Sequence, residues 1–222
     1  MLLFLLACST VPIEDGAVLG PFTQVKTWFT SAFVAQTTAG VVLVDAGYDD
    51  DAAAIEQLLA ASSLTLDDVA EVFVTHGHTD HTKALLAFPN ARVWAHEDEV
   101  DLIAEDGPDG VEVHETVVDG QLVTIGELEF EVLHVPGHTA GNVCYLAGGV
   151  LLMGDTAMNY KDGTVGPAAE KYAEDFTQAG DELLALRDRL EPRSDEFDTI
   201  GFAHTAALTD LDAFWEMHGT DW

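Results

Sequence analysis

Residues 76–81 read His76-Gly-His78-Thr-Asp80-His81, four metal-binding side chains within six positions. Imidazole nitrogen and carboxylate oxygen suit zinc, manganese or iron, and no cysteine stands nearby as a closed structural zinc site would require. The run follows an apolar strand pattern, Glu71-Val-Phe-Val-Thr75, and precedes a helical one. It therefore occupies a strand-to-helix loop, in which Gly77 lets the backbone turn sharply. One histidine cluster alone is weak evidence. Three further segments each place a His or Asp at the end of an apolar strand: Pro136-Gly-His138-Thr139, Met153-Gly-Asp155-Thr156 and Phe202-Ala-His204-Thr205.

The elements that must carry these groups follow from periodicity. Strand patterns cover residues 25–29, 32–36, 41–45, 72–75, 92–95, 112–118, 121–125, 128–135, 142–146, 150–154 and 199–203. Helical patterns cover 49–61, 80–88, 97–104, 168–190 and 210–218. Two strand-rich halves each carry helices and no repeat period is visible. That order predicts an α/β fold, a four-layer αββα sandwich with helices outside and two sheets inside, rather than a doubly wound parallel sheet.

The ordered set H-x-H-x-D-H, P-G-H-T, G-D and a late His resembles the metallo-β-lactamase superfamily, in its glyoxalase II-like branch, over roughly residues 25 to 205. The resemblance implies that His76, His78 and His138 hold one metal, that Asp80, His81 and His204 hold the other, and that Asp155 bridges them. Asp45, in Val42-Leu-Val-Asp45-Ala-Gly47, matches the strand-end Asp that supports the ligands from behind. Two divalent ions are implied, zinc first, with iron or manganese as alternatives, about 3.5–4 Å apart. Asp80 and Asp155 would offset part of their charge while a bridging hydroxide attacks a substrate carbonyl. Phe-Ala-His204-Thr replaces the more usual G-H-G, and Asp155 stands where true zinc β-lactamases carry Cys, so antibiotic hydrolysis is not implied.

This predicts a dinuclear metal-dependent hydrolase opening an ester, lactone, thioester or lactam bond. Two rivals are a mononuclear non-haem iron oxidoreductase resembling the persulfide dioxygenases, and a metal-binding lipoprotein without turnover. Trp28 and Phe29 fit either core packing or, as the resemblance implies, a hydrophobic lip over the metals. Tyr160 is either a substrate contact or part of a plain loop. His96, His114, His134 and His218 read as structural or surface groups, and Cys144 as inert core. After Asp155 the segment 158–166 offers only Lys161 as a cation, which predicts neutral acyl esters or lactones over acylglutathione thioesters.

With 8 Lys+Arg against 40 Asp+Glu the 222-residue chain carries a formal net charge of −32, a field that repels phosphates and argues against nucleic acid. At 48% hydrophobic it can bury a core of ordinary size. Leu5-Leu6-Ala7-Cys8 resembles a lipobox, so residues 1–7 read as a lipoprotein signal segment with Cys8 lipidated, 8–20 as a tether and 21–222 as the domain. That reading puts the chain at a bacterial cell envelope, touching membrane only through Cys8. The alternative is a first strand with a buried Cys8 in a cytoplasmic protein, since the opening lacks the charge and length of a secretory signal.

Overall fold

A computed structural model of the chain describes residues 9–219. Residues 1–7 and the proposed lipidation site Cys8 lie outside them. One sheet has seven strands in sequence order: β1 (Val18–Leu19), β2 (Phe22–Thr27), β3 (Thr30–Thr37), β4 (Gly40–Val44), β5 (Val69–Phe73), β6 (Arg92–His96) and β7 (Glu115–Val117). Its first four strands pair antiparallel and β4 to β7 pair parallel. The second sheet comprises β8 (Leu122–Ile125), β9 (Leu128–His134), β10 (Val143–Ala147), β11 (Val150–Leu152) and β14 (Thr199–Gly201), in the order β14-β11-β10-β9-β8. A small ribbon pairs β12 (Met158–Asn159) with β13 (Val165–Gly166).

Alternation along each strand divides the core into layers. On β4, Val42 and Val44 face the second sheet and join Phe22, Phe33, Phe73, Phe130 and Tyr145, while Val41 and Leu43 face outward. The outward residues are covered by α1 (Ala53–Ala60), through Ile55 and Leu59, and by Ile103 of α3 (Val100–Asp106). Between them lies the single turn α2 (Thr79–Thr82). On the far side, α4 (Phe176–Leu190) lays Leu183, Leu186 and Leu190 against Leu133 and Leu151 of the second sheet, joined by Phe214 of α5 (Asp212–Trp215). Helices outside and two sheets inside give the expected αββα sandwich.

Several local expectations are corrected. The helix expected over 168–190 begins at Phe176, because the Asp175 carboxylate accepts from Gln178 N–H and caps it. The helix expected over 80–88 is the turn α2 followed by a 3-10 turn at Leu85–Ala87. The segment read as a tether is seated on the domain: Val11 N–H donates to Asn159 O at 3.0 Å, Ala206 N–H to Val11 O at 3.2 Å, and β1 pairs with β2. Among the described residues no helix is long and apolar enough to cross a membrane.

Candidate metal centre

Five segments carry the chemistry, and each leaves the carboxyl end of a strand. Asp45 follows β4 and residues 75–81 follow β5, two parallel neighbours of the first sheet. His138 follows β9, Asp155 follows β11 and His204 follows β14; β11 and β14 are parallel, and β9 shares their direction because both it and β11 run antiparallel to β10. Parallel strands ending at one edge deliver their loops to one place. The sheets are tied together there by Val143 N–H donating to Thr75 O at 2.9 Å and Tyr145 Oη–H donating to Val74 O at 2.9 Å.

Two groups of donor atoms result. His76 Nε2, His78 Nδ1 and His138 Nε2 form a triangle with sides of 3.0 Å, 3.1 Å and 3.1 Å. Tetrahedral zinc with Zn–N of about 2.0–2.1 Å needs nitrogens roughly 3.3–3.4 Å apart, so the triangle is within a few tenths of an ångström of a metal site. The second group is Asp80, His81 and His204, with His204 Nε2 at 3.2 Å from Asp80 Oδ2 and His81 Nε2 at 3.6 Å from it. Asp155 reaches both: Oδ1 lies 3.1 Å from His204 Nε2 and 3.3 Å from His81 Nε2, while Oδ2 lies 3.6 Å from His138 Nε2. The seven ligands read from the sequence are therefore brought together, with Asp155 between the two groups. His81 Nε2 and Asp155 Oδ1 are buried without a hydrogen-bond partner, the state expected of atoms arranged for a cation rather than for each other.

Asp45 sets the orientation of two of these rings. It is wholly buried, with a left-handed φ of 60°. Its carboxylate accepts Thr75 N–H at 2.8 Å, Thr75 Oγ1–H at 2.9 Å and His81 Nδ1–H at 2.7 Å. The last bond turns His81 Nε2 toward the site, so Nε2 is the nitrogen that an ion would take in exchange for its proton. Because Thr75 gives its proton to Asp45, its oxygen is free to accept from His76 Nδ1 at 3.1 Å, which bares His76 Nε2. His204 is set by a different partner, donating Nδ1–H to Phe29 O at 2.9 Å while its ring stacks on Phe29.

The electrostatics separate the two groups. Burial lowers the pKa of His76 and His78 and takes His138 down to about 4, so these rings are neutral at pH 7 and ready to ligate. Burial also opposes charge on His204 and His81, but there the carboxylates outweigh it. Asp155 and Asp80 hold His204 up at about 10, and Asp45, Asp80 and Asp155 hold His81 well above the usual imidazole value. Asp155 is pulled well below the carboxylate range by His204 and His81 despite its burial.

A cavity of about 620 Å³ opens over the centre, reaching His78, Asp80, Asp155 and His204 at its floor. Its walls are Thr10, Phe29, Thr79, Asp106, Met158, Lys171 and Tyr172, so one carboxylate stands there with the one cation. Phe29 thus lines the site as a lip would, whereas Trp28 is 65% exposed, packs on Phe29 and Tyr48, and lies outside both the core and the cavity wall. Tyr160 faces away, its hydroxyl donating to Pro167 O at 2.9 Å. Among the described residues His96, His114 and His134 stand outside the metal-ligand groups, His134 stacked on His96 and hydrogen bonded to Ala140 O. Cys144 is buried and burial pushes its thiol up to about 12. Gly77 serves a purpose other than a sharp turn: its φ is unexceptional, but a Cβ there would stand 2.8 Å from Leu102 Cγ of α3.

Lys171 and Tyr172 were not found from the sequence, because 168–175 reads as the start of a helix. The segment is instead a loop with one 3-10 turn, Glu170–Tyr172, held to the His138 loop by Glu174 N–H donating to His138 O at 3.0 Å and Asp175 N–H to Gly137 O at 2.9 Å. Lys171 donates to the hydroxyl of Tyr172.

The family model of the metallo-beta-lactamase superfamily matches residues 25–216. Among curated proteins, a hydroxyacylglutathione hydrolase from Idiomarina loihiensis is 30% identical over 147 residues, 66% of this chain and 51% of that protein. One from Aeromonas hydrophila subsp. hydrophila is 35% identical over 123 residues, 52% of this chain and 41% of its own. The chain spans about half the length of these relatives. Among solved structures, a metallo-beta-lactamase family protein from Thermus thermophilus superposes with a TM-score of 0.65 at 23% identity, covering 90% of this chain and 78% of that one. A B3 metallo-beta-lactamase with an active-site glutamic acid gives 0.68 at 18% identity, covering 97% and 90%. At these identities the structural likeness is one of fold. The family match extends over the strands and loops that carry all seven candidate ligand residues, and this chain belongs to the metallo-beta-lactamase superfamily.

Proposed function

We propose that the chain is a dinuclear metal-dependent hydrolase that opens an ester, lactone, thioester or lactam carbonyl. The observation that carries this is Asp155, whose two oxygens face the two ligand groups separately. The residues fit zinc: nitrogen and oxygen donors only, two carboxylates to offset charge, and open space above for a substrate. Two divalent ions bound there would lower the pKa of water toward neutrality and polarise the scissile carbonyl. The chain's own residues do the rest. Asp45 and Phe29 O fix which nitrogens face the site, Asp80 and Asp155 supply negative charge, and Phe29 and Met158 give the acyl part an apolar wall.

Lys171 favours a more specific reading. A cation at the cavity wall suits an anionic substrate, and the relatives named hydroxyacylglutathione hydrolases are consistent with an acylglutathione thioester. Lys171 answers one ground for neutral substrates, the scarcity of cations after Asp155; the net charge of −32 and the apolar Phe29 wall still favour them. A panel of lactoylglutathione, neutral acyl esters and acyl lactones, assayed on metal-quantified protein with and without chelator, tests both levels. Chelator-sensitive hydrolysis of any of these supports the hydrolase. One iron per chain with oxygen consumed on a persulfide substrate replaces it with the dioxygenase. For location the proposal is a lipid on Cys8; intact mass of membrane-extracted native protein showing an unprocessed Met1 chain overturns it.

A further inference from the structure

Glu99 ends the 3-10 turn Glu97–Glu99 and is wholly buried, yet its carboxylate faces neither a histidine of the centre nor a cation. It accepts three hydrogen bonds instead. Gly77 N–H reaches Oε2 at 2.6 Å, and Thr139 Oγ1–H and Gly141 N–H reach Oε1 at 2.6 Å and 2.7 Å. These lengths belong to charge-assisted bonds, and a buried carboxylate persists only when its oxygens are satisfied in this way. Burial raises the pKa of Glu99 while the three donors pull it back.

The donors are not arbitrary. Gly77 stands between His76 and His78, and Thr139 and Gly141 follow His138, so one carboxylate grips both loops that form the three-histidine triangle. Those loops come from different sheets, one after β5 and the other after β9. The approach also requires small residues at the donors. A Cβ on Gly141 would lie 2.9 Å from Glu99 Cγ and Oε1, and one on Gly77 would strike Leu102.

We infer that Glu99 is a positioning residue for the three-histidine site: its carboxylate locks the loop 76–78 to the loop 138–141 and so sets the spacing of the three nitrogens. The inference rests on the dinuclear reading above. An amide at this position has a single acceptor oxygen, so its NH2 would confront an N–H or O–H donor and the two loops would separate. Outer partners that hold ligands in place typically change metal affinity 10- to 100-fold.

The test is a zinc titration of the metal-free full chain against a competing chelator, with the two binding steps assigned by His78→Ala and His204→Ala and folding followed by thermal melting. Glu99→Gln is expected to weaken the three-histidine step about 10- to 100-fold while the other step changes less than about threefold. Thr139→Val, which removes one bond and leaves the carboxylate, is expected to weaken the same step several-fold, and Thr139→Ser to restore it. This pair decides the matter if Glu99→Gln does not fold. Wild-type affinity in both Glu99→Gln and Thr139→Val overturns the inference, as does an equal weakening of both steps in parallel with a lower melting temperature. A wild-type chain that takes up no ion pair overturns the dinuclear reading with it.

Discussion

Asp45→Asn separates ligand orientation from simple charge. The substitution keeps the side-chain shape, and asparagine tolerates the left-handed φ of 60° at this position. An aspartate accepts from both Thr75 and His81, whereas the amide offers one oxygen and one NH2. Thr75 N–H, at 2.8 Å, is fixed by the backbone and cannot become an acceptor, so the amide oxygen stays with it. The NH2 then faces His81 Nδ1, which must give up its proton to accept. The ring takes the other tautomer, with hydrogen on the Nε2 that should face the metal. Losing a hydrogen bond to a charged group costs about 1.5–3 kcal/mol. At 1.4 kcal/mol per decade that is roughly 10- to 150-fold in affinity at the Asp80–His81–His204 site. Thr75 Oγ1–H can still donate to the oxygen that stays, 3.1 Å away, so His76 keeps its partner. Zinc titration should show the loss at the second site while the three-histidine step changes little, with hydrolysis falling in step with second-site occupancy. Unchanged affinity at both sites in a folded Asp45→Asn chain would refute the tautomer argument.

The two sites should also differ in pH dependence. His204 at about 10 and His81 well above its usual value are protonated in the metal-free chain at neutrality, so ion uptake there must release protons. Affinity at that site should rise with pH by up to about tenfold per unit for each proton and fall in acid, whereas the site of His76, His78 and His138, whose imidazoles are all held below their usual value, should be nearly flat from neutrality upward. Calorimetry in buffers of different ionisation enthalpy counts the protons released in each step. Gly137→Ala puts a Cβ 2.3 Å from Ala179 N in a backbone of φ +125°, a clash between the His138 loop and α4. It should cost at least about 1–3 kcal/mol and lower Tm by roughly 2–12 °C, read by calorimetric melting. Lys171→Met should lower kcat/KM on lactoylglutathione about 3- to 30-fold and leave neutral esters within about twofold, the exposed cation being worth less than a buried one.

The ligands were legible because each is written locally, as a His or Asp directly after an apolar strand pattern, and parallel strand direction then gathers the loops. Asp45 was legible only through the resemblance; its three acceptor bonds show what it does. The rest depends on contacts between distant positions. Glu99 is one acid among 40, in a run of three, and its partners lie 22, 40 and 42 residues away. Residues 8–20 read as a tether because the pairing of 9–11 with 159–161 joins distant parts of the chain. The loop 168–175 looks helical by composition, and the Asp175 cap together with the His138 loop overrides that propensity. Met158–Asn159 and Val165–Gly166 form a ribbon where a plain connection was expected, each strand being too short to show a period.

Anomalous diffraction from crystals of the zinc-loaded chain decides whether Asp155 joins a pair of ions. Two peaks about 3.5–4 Å apart are expected, one bound by His76, His78 and His138, the other by Asp80, His81 and His204, with one Asp155 oxygen on each. A single fully occupied peak, or an Asp155 carboxylate turned away from either ion, would contradict this bridging.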